Sequence, residues 1–362
     1  MGDRTGEQLG AYTVGAHVAD GSMGSVYEAR HSETGERVAV KVLHPEVAGD
    51  SVAVQRFRRE YETAKSLRHS YIIDARDFGV TAGGAHFMTM ELLEGEELSL
   101  VLAREGAMRP ARLVRVVSQL ALALHHAHTH GVIHRDLKPD NIMIDAEGRL
   151  RVLDFGLAKL HDTTETEGGA TQAPTAAVET EEGKILGTVA YMSPEQAMGK
   201  LDLDQRTDVF ALAAIMHELA TGQVAFPGDS VAAILKKIAD EEPPPVSTSS
   251  PDYPWSFDDV VKQGLRKDRV NRFGSAMELA NAMLRALGLE PDVERWASTP
   301  AAEIERALER APEARVVESI PPFAHPSSIP AAPPIRDTRA ATMAIGFVFA
   351  AVLVAGVWLI LP

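Results

Sequence analysis

Residues 134–141 read His-Arg-Asp-Leu-Lys-Pro-Asp-Asn, and Asp154-Phe155-Gly156 follows after a short apolar segment. Together the two stretches offer a carboxylate that can accept a hydroxyl proton, a lysine that can reach a phosphate, and two oxygen ligands for a metal ion. Either stretch alone could be an ordinary turn. An ordered run of this length with a second motif at this distance is difficult to obtain by chance, and the combination therefore predicts a catalytic site.

The combination resembles the catalytic motifs of the protein kinase family, in the form found in bacterial serine/threonine protein kinases. The resemblance extends from Tyr12 to Leu287 and is strongest in the second part of this range. It implies an α+β fold with two lobes, a small β-rich N-terminal lobe and a larger helical C-terminal lobe. It also implies ATP as the phosphoryl donor, Mg²⁺ or alternatively Mn²⁺ as the metal ion, and serine or threonine hydroxyls of proteins as acceptors.

The resemblance gives the polar residues of the two stretches roles in phosphoryl transfer. Asp136 would orient the substrate hydroxyl and accept its proton, and Lys138 would reach the γ-phosphate. Asn141 and Asp154 would hold Mg²⁺, and a predicted hairpin between them would bring both ligands to one edge. The residues with implied structural or regulatory roles are His134, Arg135, Phe155, Gly156, Thr188, Glu195, Asp208 and Arg272.

Asp208 and Arg272 are the two of these residues whose implied contacts are most specific. Asp208 opens a predicted apolar helix, where an aspartate normally caps the N-terminus; in the family the matching residue also tethers the catalytic loop, and both roles can hold at once. Arg272 resembles an arginine that forms a buried salt bridge with Glu195. Its loss is expected to destabilise the large lobe rather than alter the chemistry.

A nucleotide-binding loop is predicted near the N-terminus, between strands that begin at Tyr12. Glycines at positions 21 and 24 would let backbone amides approach phosphates. The kinase pattern Gly-x-Gly-x-x-Gly-x-Val places its first glycine at Ala19, which is a departure, and a plain hairpin turn is the alternative interpretation. The ATP-binding residues that the resemblance predicts are Val18, Ala19, Asp20, Gly21, Ser22, Met23, Gly24, Ser25, Val26, Ala39, Lys41, Glu60, Glu91, Leu93 and Met143.

Lys41 ends a short apolar strand, and the resemblance places its ammonium against the α- and β-phosphates of ATP. Glu60, on a predicted helix, resembles the glutamate that pairs with this lysine. Its neighbour Glu62 is not excluded by chemistry alone. Glu91 and Leu93 would meet the adenine through their backbone groups, although a strand that ends in a loop is equally consistent with the sequence.

The segment between Asp154 and Glu195 is rich in threonine and acidic residues. A flexible polar linker is one interpretation of it. Our hypothesis is that one or more of its threonines is autophosphorylated and that the phosphate pairs with Arg135 and its neighbours. The threonines are Thr163, Thr164, Thr166, Thr171, Thr175 and Thr180.

The composition excludes some classes of function. The chain has 51 acidic and 36 basic residues, a formal net charge of −15, which argues against a general nucleic-acid binder because phosphates would be repelled. It has no cysteine, which rules out disulfides and thiolate metal sites and fits a reducing compartment. A histidine cluster at positions 125, 126, 128 and 130 could indicate a metal site, but ordinary core and turn histidines are favoured because no cysteine or carboxylate lies at ligand spacing.

The sequence predicts four regions. They are an N-terminal extension without a signal-peptide core (1–11), a kinase domain (12–287), a proline- and alanine-rich juxtamembrane linker (288–339) and a transmembrane helix (340–361). Within the linker range, residues 303–310 are expected to add a short helix. The last region is uncharged and long enough to cross a bilayer as a helix. Arg336 and Arg339 precede it, which favours a kinase domain in the cytoplasm, tethered to the cytoplasmic (inner) membrane by a single span. Because only Pro362 follows, we expect no domain on the far side.

Two other function classes share the predicted fold. A pseudokinase would keep it as an ATP-binding or scaffolding module without turnover, and Ala19 is the feature that favours this alternative. A small-molecule kinase, such as those for aminoglycosides or choline, also has two lobes. The glycine loop, Ala-Val-Lys, Lys-Pro-Asp-Asn and Pro-Glu motifs together favour protein substrates, while the identity of those substrates, the activating signal and a homodimeric state stay open.

Overall fold

The computed structural model describes residues 4–21, 23–81, 83–155, 187 and 189–311. These residues form a β-rich N-terminal lobe and a helical C-terminal lobe, as the sequence predicts. Ser22, Gly156, Thr188, the six threonines named above and residues 312–361 of the predicted linker and transmembrane helix lie outside the described residues. Among the described residues, no helix is both long enough and apolar enough to cross a membrane.

The strands are β1 (Gln8–Leu9), β2 (Tyr12–Asp20), β3 (Gly24–His31), β4 (Arg37–Leu43), β5 (Ala75–Val80), β6 (His86–Glu91), β7 (Glu96–Glu97), β8 (Ile142–Ile144) and β9 (Leu150–Val152). The helices of the described ranges are α1 (Pro45–Ala48), α2 (Ser51–Ser66), α3 (Leu98–Glu105), α4 (Pro110–Thr129), α5 (Pro194–Ala197), α6 (Arg206–Thr221), α7 (Val231–Asp240), α8 (Val246–Ser249), α9 (Trp255–Gly264), α10 (Ala276–Ala286), α11 (Val293–Ser298) and α12 (Ala301–Arg310). Short 3₁₀ turns occupy Pro139–Asn141 and Arg269–Asn271.

The N-terminal lobe is built on a six-stranded antiparallel sheet with the strand order β1-β2-β3-β4-β6-β5. Side chains alternate along β4, so that Val38, Val40 and Val42 enter a buried apolar cluster on one face of the sheet. Lys41 therefore points to the opposite face. Helix α2 packs on that face through the fully buried Phe57, which places the helix beside Lys41.

The core of the C-terminal lobe surrounds α4 and α6. Apolar side chains of α4 recur at helical spacing and are buried, including Leu113, Val117 and Leu124. Helix α6 is buried on nearly all sides and ends at Gly222, whose φ of 72° is the left-handed conformation that glycine adopts without strain. A helix enclosed in this way gives a rigid support to residues in its first turn, where Asp208 lies.

A three-stranded sheet, β7-β8-β9, lies where the two lobes meet. The Val152 carbonyl of β9 accepts the Ile73 N–H at 3.0 Å, and the Val152 N–H donates to the Tyr71 carbonyl at 2.9 Å. These bonds join the hairpin to the segment between α2 and β5. Strands β8 and β9 form the hairpin that was predicted between the two metal-ligand candidates, with Gly148 at φ 73° in its turn.

The structure differs from the predicted linker over residues 288–311. Helices α11 and α12 occupy most of this range and pack against α4. Val293, Trp296 and Ile304 are buried there, and the Trp296 Nε1–H donates to the Glu290 carbonyl at 2.8 Å. The short helix predicted over residues 303–310 is confirmed as part of α12. The proline- and alanine-rich composition of the longer range 288–339 obscured Val293 and Trp296 of α11, whose burial helps to order the segment.

Candidate active site

The catalytic loop, His134 to Asn141, is held by the carboxylate of Asp208. The backbone N–H groups of His134 and Arg135 donate to its two oxygens, each at 2.8 Å, and His128 Nε2 lies 2.7 Å from Oδ2. Burial alone would raise the pKa of Asp208, but the hydrogen bond and charge of His128 and the bonds from the loop hold that pKa below its ordinary value. In the described part of the chain its bonds run to the loop and α4, and it does not act as the N-cap, a position taken by Gln205.

Arg135 has a φ of 66°, an unfavourable conformation for a residue with a side chain. Its carbonyl accepts a hydrogen bond from Gln196 Nε2 at 2.6 Å, while its N–H is held by Asp208. Such backbone strain costs about 1–3 kcal/mol and persists only where surrounding bonds over-determine it. The bonds to Asp208 of α6 and to Gln196 of α5 meet that condition.

His134 links the catalytic loop to the strand that precedes Asp154. Its Nε2 lies 3.0 Å from the Leu153 carbonyl, and its Nδ1 lies 3.3 Å from the Asp136 N–H. Since a carbonyl only accepts and an N–H only donates, these two contacts place a proton on Nε2 and leave Nδ1 as the acceptor. The ring also contacts the buried Phe155, with centroids 4.6 Å apart.

Asp136 lies beside the two polar residues that the sequence predicts to act with it. Asn141 Nδ2 donates to the Asp136 carbonyl at 2.8 Å and lies 3.3 Å from Oδ2. Lys138 Nζ is 3.6 Å from the same Oδ2. The 3₁₀ turn Pro139–Asn141 follows Lys138 directly, and the lysine and the amide both approach the same oxygen of the carboxylate.

Lys41, Glu60 and Asp154 form a compact group of charges between β4, α2 and the end of the hairpin. Lys41 Nζ donates to Glu60 Oε1 at 2.6 Å and lies 3.5 Å from Asp154 Oδ1. Glu62 is exposed and accepts instead from Arg58 Nε, 3.0 Å away. The structure therefore distinguishes the two glutamates that the sequence left open, and Glu60 is the one that meets Lys41.

These three groups alter one another's pKa. Burial disfavours the charged form of Lys41, but Asp154 and Glu60 outweigh it and raise the pKa of the ammonium. Burial raises the pKa of Glu60 to about 7 in spite of Lys41, whereas the charge of Lys41 overcomes burial and lowers the pKa of Asp154. One cation thus faces two carboxylates, and the excess negative charge suits a bound divalent cation.

The side chains predicted to hold Mg²⁺ fit that ion. The Leu153 N–H donates to the Asn141 carbonyl at 2.8 Å, which keeps Asn141 and Asp154 together at the open end of the hairpin. Their amide and carboxylate oxygens are hard donors, and Asp154 is partly exposed, at 34% of its side-chain surface. Within the described ranges, no three His, Asp or Glu side chains are placed to hold a metal unaided.

Asp154 has a φ of 52°, so both residues with side chains in the left-handed region of the described backbone, Arg135 and Asp154, belong to the predicted site. The conformation of Asp154 turns the chain between β9 and Phe155, whose ring is fully buried. Strain at these two positions is consistent with a site whose geometry is set in advance by its surroundings.

The residues predicted to surround the nucleotide lie on adjacent strands of the N-terminal lobe. Val26 of β3 pairs with Ala19 of β2 on one side and with Lys41 of β4 on the other, so the three share one face. Gly21 N–H donates to the Gly24 carbonyl at 2.9 Å and closes the turn.

The predicted hinge follows β6, which ends at Glu91. The Glu91 carboxylate accepts from the Asp74 N–H and from Arg151 Nε, both at 3.0 Å, so its side chain is committed to structure. Leu93, two residues after Glu91, and Met143, on β8, are both partly buried. A hinge and a strand that ends in a loop remain two descriptions of this segment.

Glu195 and Arg272 are paired as the sequence predicts. Their two contacts are each 2.7 Å, and both side chains are almost completely buried. Burial would raise the pKa of Glu195, but the hydrogen bond and charge of Arg272 lower it. The pair joins α5 to the segment before α10, on the side of the lobe that supports Arg135 through Gln196.

Sequence reasoning missed two residues of this support. His128 was interpreted as one of several core or turn histidines, yet it contacts Asp208. Gln196 was not singled out, although its side chain bonds to Arg135 and completes a capping box with Ser193. A capping box can be found from its spacing, Ser-x-x-Gln, but the contact with Arg135 joins residues far apart in the chain and has no local signal. Of the other histidines, His126 stacks on His69 with ring centroids 4.8 Å apart, and it contacts His130 in a tilted arrangement at 4.4 Å.

Comparison with known proteins agrees with this geometry. Residues 12–284 match the protein kinase domain family. The chain is 39% identical over 285 residues to serine/threonine-protein kinase pkn3 of Myxococcus xanthus, covering 77% of this chain and 50% of that protein. It is 35% identical over 283 residues to PknB of Mycobacterium tuberculosis, covering 77% of this chain and 43% of that protein. The chain thus spans about half the length of these curated relatives, or less.

A solved structure shows the same fold. The crystal structure of the Mycobacterium tuberculosis PknI kinase domain superposes with a TM-score of 0.59 at 27% sequence identity, and the match covers 79% of this chain and all of that domain. The family match extends over most of the chain and includes each of the site residues placed above. The chain therefore belongs to the protein kinase family.

Proposed function

We propose that this chain is a serine/threonine protein kinase that transfers the γ-phosphoryl group of ATP to hydroxyl groups of proteins. The observation that carries the proposal is the arrangement of two groups of side chains. Lys41 contacts both Glu60 and Asp154, and Lys138 and Asn141 both approach Asp136 Oδ2. Both the phosphate-binding side and the hydroxyl-binding side of the reaction therefore have their residues in place.

The residues of the chain act mainly by positioning and by electrostatics. ATP with Mg²⁺ supplies the phosphoryl group and neutralises charge on it when bound. Asp136 accepts a hydrogen bond from the acceptor hydroxyl, aligns its oxygen and takes its proton. Lys138 stabilises charge on the side of the transferred group, and Asn141 holds the Asp136 loop through its amide N–H groups while offering its oxygen to the metal.

Lys41 serves the nucleotide side of the site. Its ammonium is held by Glu60, whose position depends on α2, and it would meet the α- and β-phosphates from beneath the glycine loop. Asp154, whose Oδ1 lies 3.5 Å from the same ammonium, would bind the metal. The glycine-loop residues, Ala39 and Met143 would enclose the nucleotide, with backbone groups of Glu91 and Leu93 meeting the adenine.

The preference for serine and threonine is supported by the Asp-Leu-Lys-Pro form of the loop and by the printed names of the relatives, which are serine/threonine-protein kinases. We infer further that a threonine of the segment between Asp154 and Glu195 is phosphorylated by the chain itself. Arg135 supports this inference, because its Nε is buried and has no hydrogen-bond partner among the described residues. A phosphate dianion would satisfy it with a charge-assisted bond.

We also propose that the kinase is tethered to the cytoplasmic membrane by residues 340–361, with the kinase domain on the cytoplasmic side. The uncharged run of that region and the arginines at 336 and 339 support the proposal. Fractionation of cells that express the full chain, compared with a chain that ends before residue 340, tests it. The full chain should sediment with membranes and the shorter one should not, and equal distribution would contradict the tether.

The enzymatic proposal is tested by incubating the purified chain with radiolabelled ATP and Mg²⁺. We expect label on the chain itself and on added protein substrates, confined to phosphoserine and phosphothreonine. Asp136→Asn, which keeps the size of the side chain but removes its capacity as a base, should lose the label. Binding of ATP without label in the wild type would instead identify a pseudokinase, and equal label in both proteins would refute the role of Asp136.

The autophosphorylation inference needs a separate experiment. Phosphosite mapping after incubation with ATP should locate phosphate on one or more of the six threonines named above. A variant with all six replaced by alanine should have reduced activity toward an added substrate. Unchanged activity of that variant would refute control by these threonines while leaving the kinase proposal intact.

A further inference from the structure

A hydrogen-bonded network of four polar side chains lies at the glycine loop, and the proposed reaction assigns no chemical step to these groups. Ser25 Oγ lies 2.6 Å from Asp20 Oδ1 and 3.1 Å from His44 Nε2. His17 Nε2 lies 3.1 Å from the same oxygen of Asp20. The Ser25 side chain is buried, whereas Asp20 and His17 are at the surface.

The protons of this network of side chains can be assigned from the chemistry of its four members. The Asp20 carboxylate only accepts, so the single hydroxyl proton of Ser25 is donated to it. Ser25 Oγ must then accept from His44, and Asp20 must accept from His17, which places a proton on Nε2 of both rings. Asp20 thus receives two hydrogen bonds on one oxygen. The Ser25 bond, followed by the His17 bond, lowers the pKa of Asp20 below its ordinary value, so the group is a carboxylate at neutral pH.

Strand register places this network on the face of the sheet opposite to Lys41. Asp20 pairs with Ser25, and Ser25 pairs with Val42, which is the residue next to Lys41. Successive side chains of a strand point to opposite faces, so Asp20 and Ser25 lie on the outer face, where Val42 is also buried. His44 follows Val42 by two residues, and its backbone N–H donates to the Met23 carbonyl at 2.9 Å, which ties the turn to the end of β4.

An acidic residue at this place is unfavourable for a loop that covers phosphates. The proposed ligand is a polyanion, and a carboxylate at the tip of the hairpin would repel it over a few ångströms if it faced the nucleotide. The loop also lacks its first glycine, because Ala19 occupies that position. The bonds from Ser25 and His17 keep the carboxylate directed along the outer face.

We propose that Ser25, with His17 and His44, is a positioning residue for nucleotide binding that holds the Asp20 carboxylate on the outer face of the glycine loop, away from the phosphates of ATP. This inference rests on the proposed function for the identity of the ligand. Loss of Ser25 would release a negative charge at the tip of the loop. The damage would therefore be electrostatic, and removal of the charge would repair it.

The test compares Ser25→Ala, Asp20→Asn and the double variant D20N/S25A in the full chain. Steady-state kinetics with Mg²⁺-ATP should show KM for ATP raised about three- to tenfold in S25A with kcat nearly unchanged, the size expected for one screened charge interaction. In D20N/S25A the KM should return to within about twofold of the wild type. Ser32→Ala is the matched control, because its hydroxyl accepts from Gln8 Nε2 at 2.9 Å in the same lobe but away from the loop.

A purely structural role for Ser25 gives a different pattern. The double variant would then bind ATP no better than S25A, and that result, like an unchanged KM in S25A, would overturn the inference. Calorimetric titration of the same proteins with Mg²⁺-ATP measures binding without turnover. If the rescue appears in Kd but no phosphoryl transfer occurs, the proposed function fails and the inference stands. If transfer occurs without rescue, the inference alone fails.

Discussion

Replacement of Arg272 by alanine should destabilise the C-terminal lobe severely. The guanidinium is fully buried and makes two bonds of 2.7 Å to Glu195. It also donates to the backbone carbonyls of Arg266, Lys267 and Arg206 at 2.7, 3.1 and 3.0 Å. Its removal leaves the buried Glu195 carboxylate and three backbone carbonyls without these hydrogen-bond donors. Breaking one side of such a pair costs about 3–5 kcal/mol, because the remaining charge is uncompensated.

The assay is urea unfolding of the purified chain, followed by tryptophan fluorescence at neutral pH. Expressed as thermal stability, the same loss of free energy of unfolding corresponds, for a domain of this size, to a fall in melting temperature of roughly 6–20 °C. Arg269→Ala is the matched control, because Arg269 lies three residues away and pairs with the exposed Asp202 at 2.6 Å, so little change is expected.

A double variant separates the charge from the packing of the arginine. If the buried carboxylate causes most of the loss, adding Glu195→Gln to R272A should recover about 1–2 kcal/mol, because the amide is far cheaper to bury than the charge. Thr207 Oγ1, which lies 3.2 Å from Glu195 Oε1, can still donate to the amide oxygen. Unfolding of R272A at the wild-type urea concentration, or a double variant less stable than R272A, would refute the reasoning.

Three further predictions follow from the same geometry. The pKa of Glu195 is lowered in the folded protein, so the ionised Glu195 stabilises the fold fully above its ordinary pKa of 4.5, and this contribution is lost as pH falls through the folded pKa. The difference in urea midpoint between wild type and R272A should therefore become smaller below pH 4.5. A difference that does not change with pH would contradict the lowered pKa. Lys41→Met should reduce phosphoryl transfer about 10²-fold or more while the chain stays folded, as measured with radiolabelled ATP and circular dichroism, and retained transfer would remove Lys41 from the site. Trp296→Ala should lower stability to urea by about 3–5 kcal/mol, whereas Trp255→Ala, at a position 51% exposed, should have little effect; equal effects would mean that α11 does not belong to the folded lobe.

The sequence was most informative where function demands fixed residue types at fixed spacing. The run from His134 to Asn141 and the hairpin to Asp154 could be placed because the chain between them is short and its turn is built around Gly148. Lys41 and Glu60 could be predicted as partners from their order, but the choice of Glu60 over Glu62 required the phase of α2. That phase is set by the burial of Phe57 against the sheet, which local spacing indicates only approximately.

Contacts between distant residues were the least predictable. Asp208 was expected to cap its helix, at least in part, because aspartate at a helix start has that preference in isolation. In the folded lobe two N–H groups of the catalytic loop reach it first, and they come from residues more than seventy positions earlier. Helix α11 was obscured for a related reason. It is short, and it packs against α4, which lies far away in the sequence.

The catalytic geometry has two supports, one from each lobe, and they meet at one aromatic contact. The Asp136 loop is held from the C-terminal lobe by Asp208, and Asp154 is held from the N-terminal lobe by Lys41. The ring of His134 touches Phe155, so the residue beside Asp154 packs directly on the loop.

A shift of α2 away from the sheet would therefore act on more than one residue. It would withdraw Glu60 from Lys41, remove one of the two carboxylates that hold the ammonium, and leave Lys41 to Asp154 alone. A Lys41–Asp154 pair closed on itself would compete with the metal for the Asp154 carboxylate. In that arrangement the position of α2, which packs on the sheet through Phe57, would influence how readily the Asp154 carboxylate binds a cation.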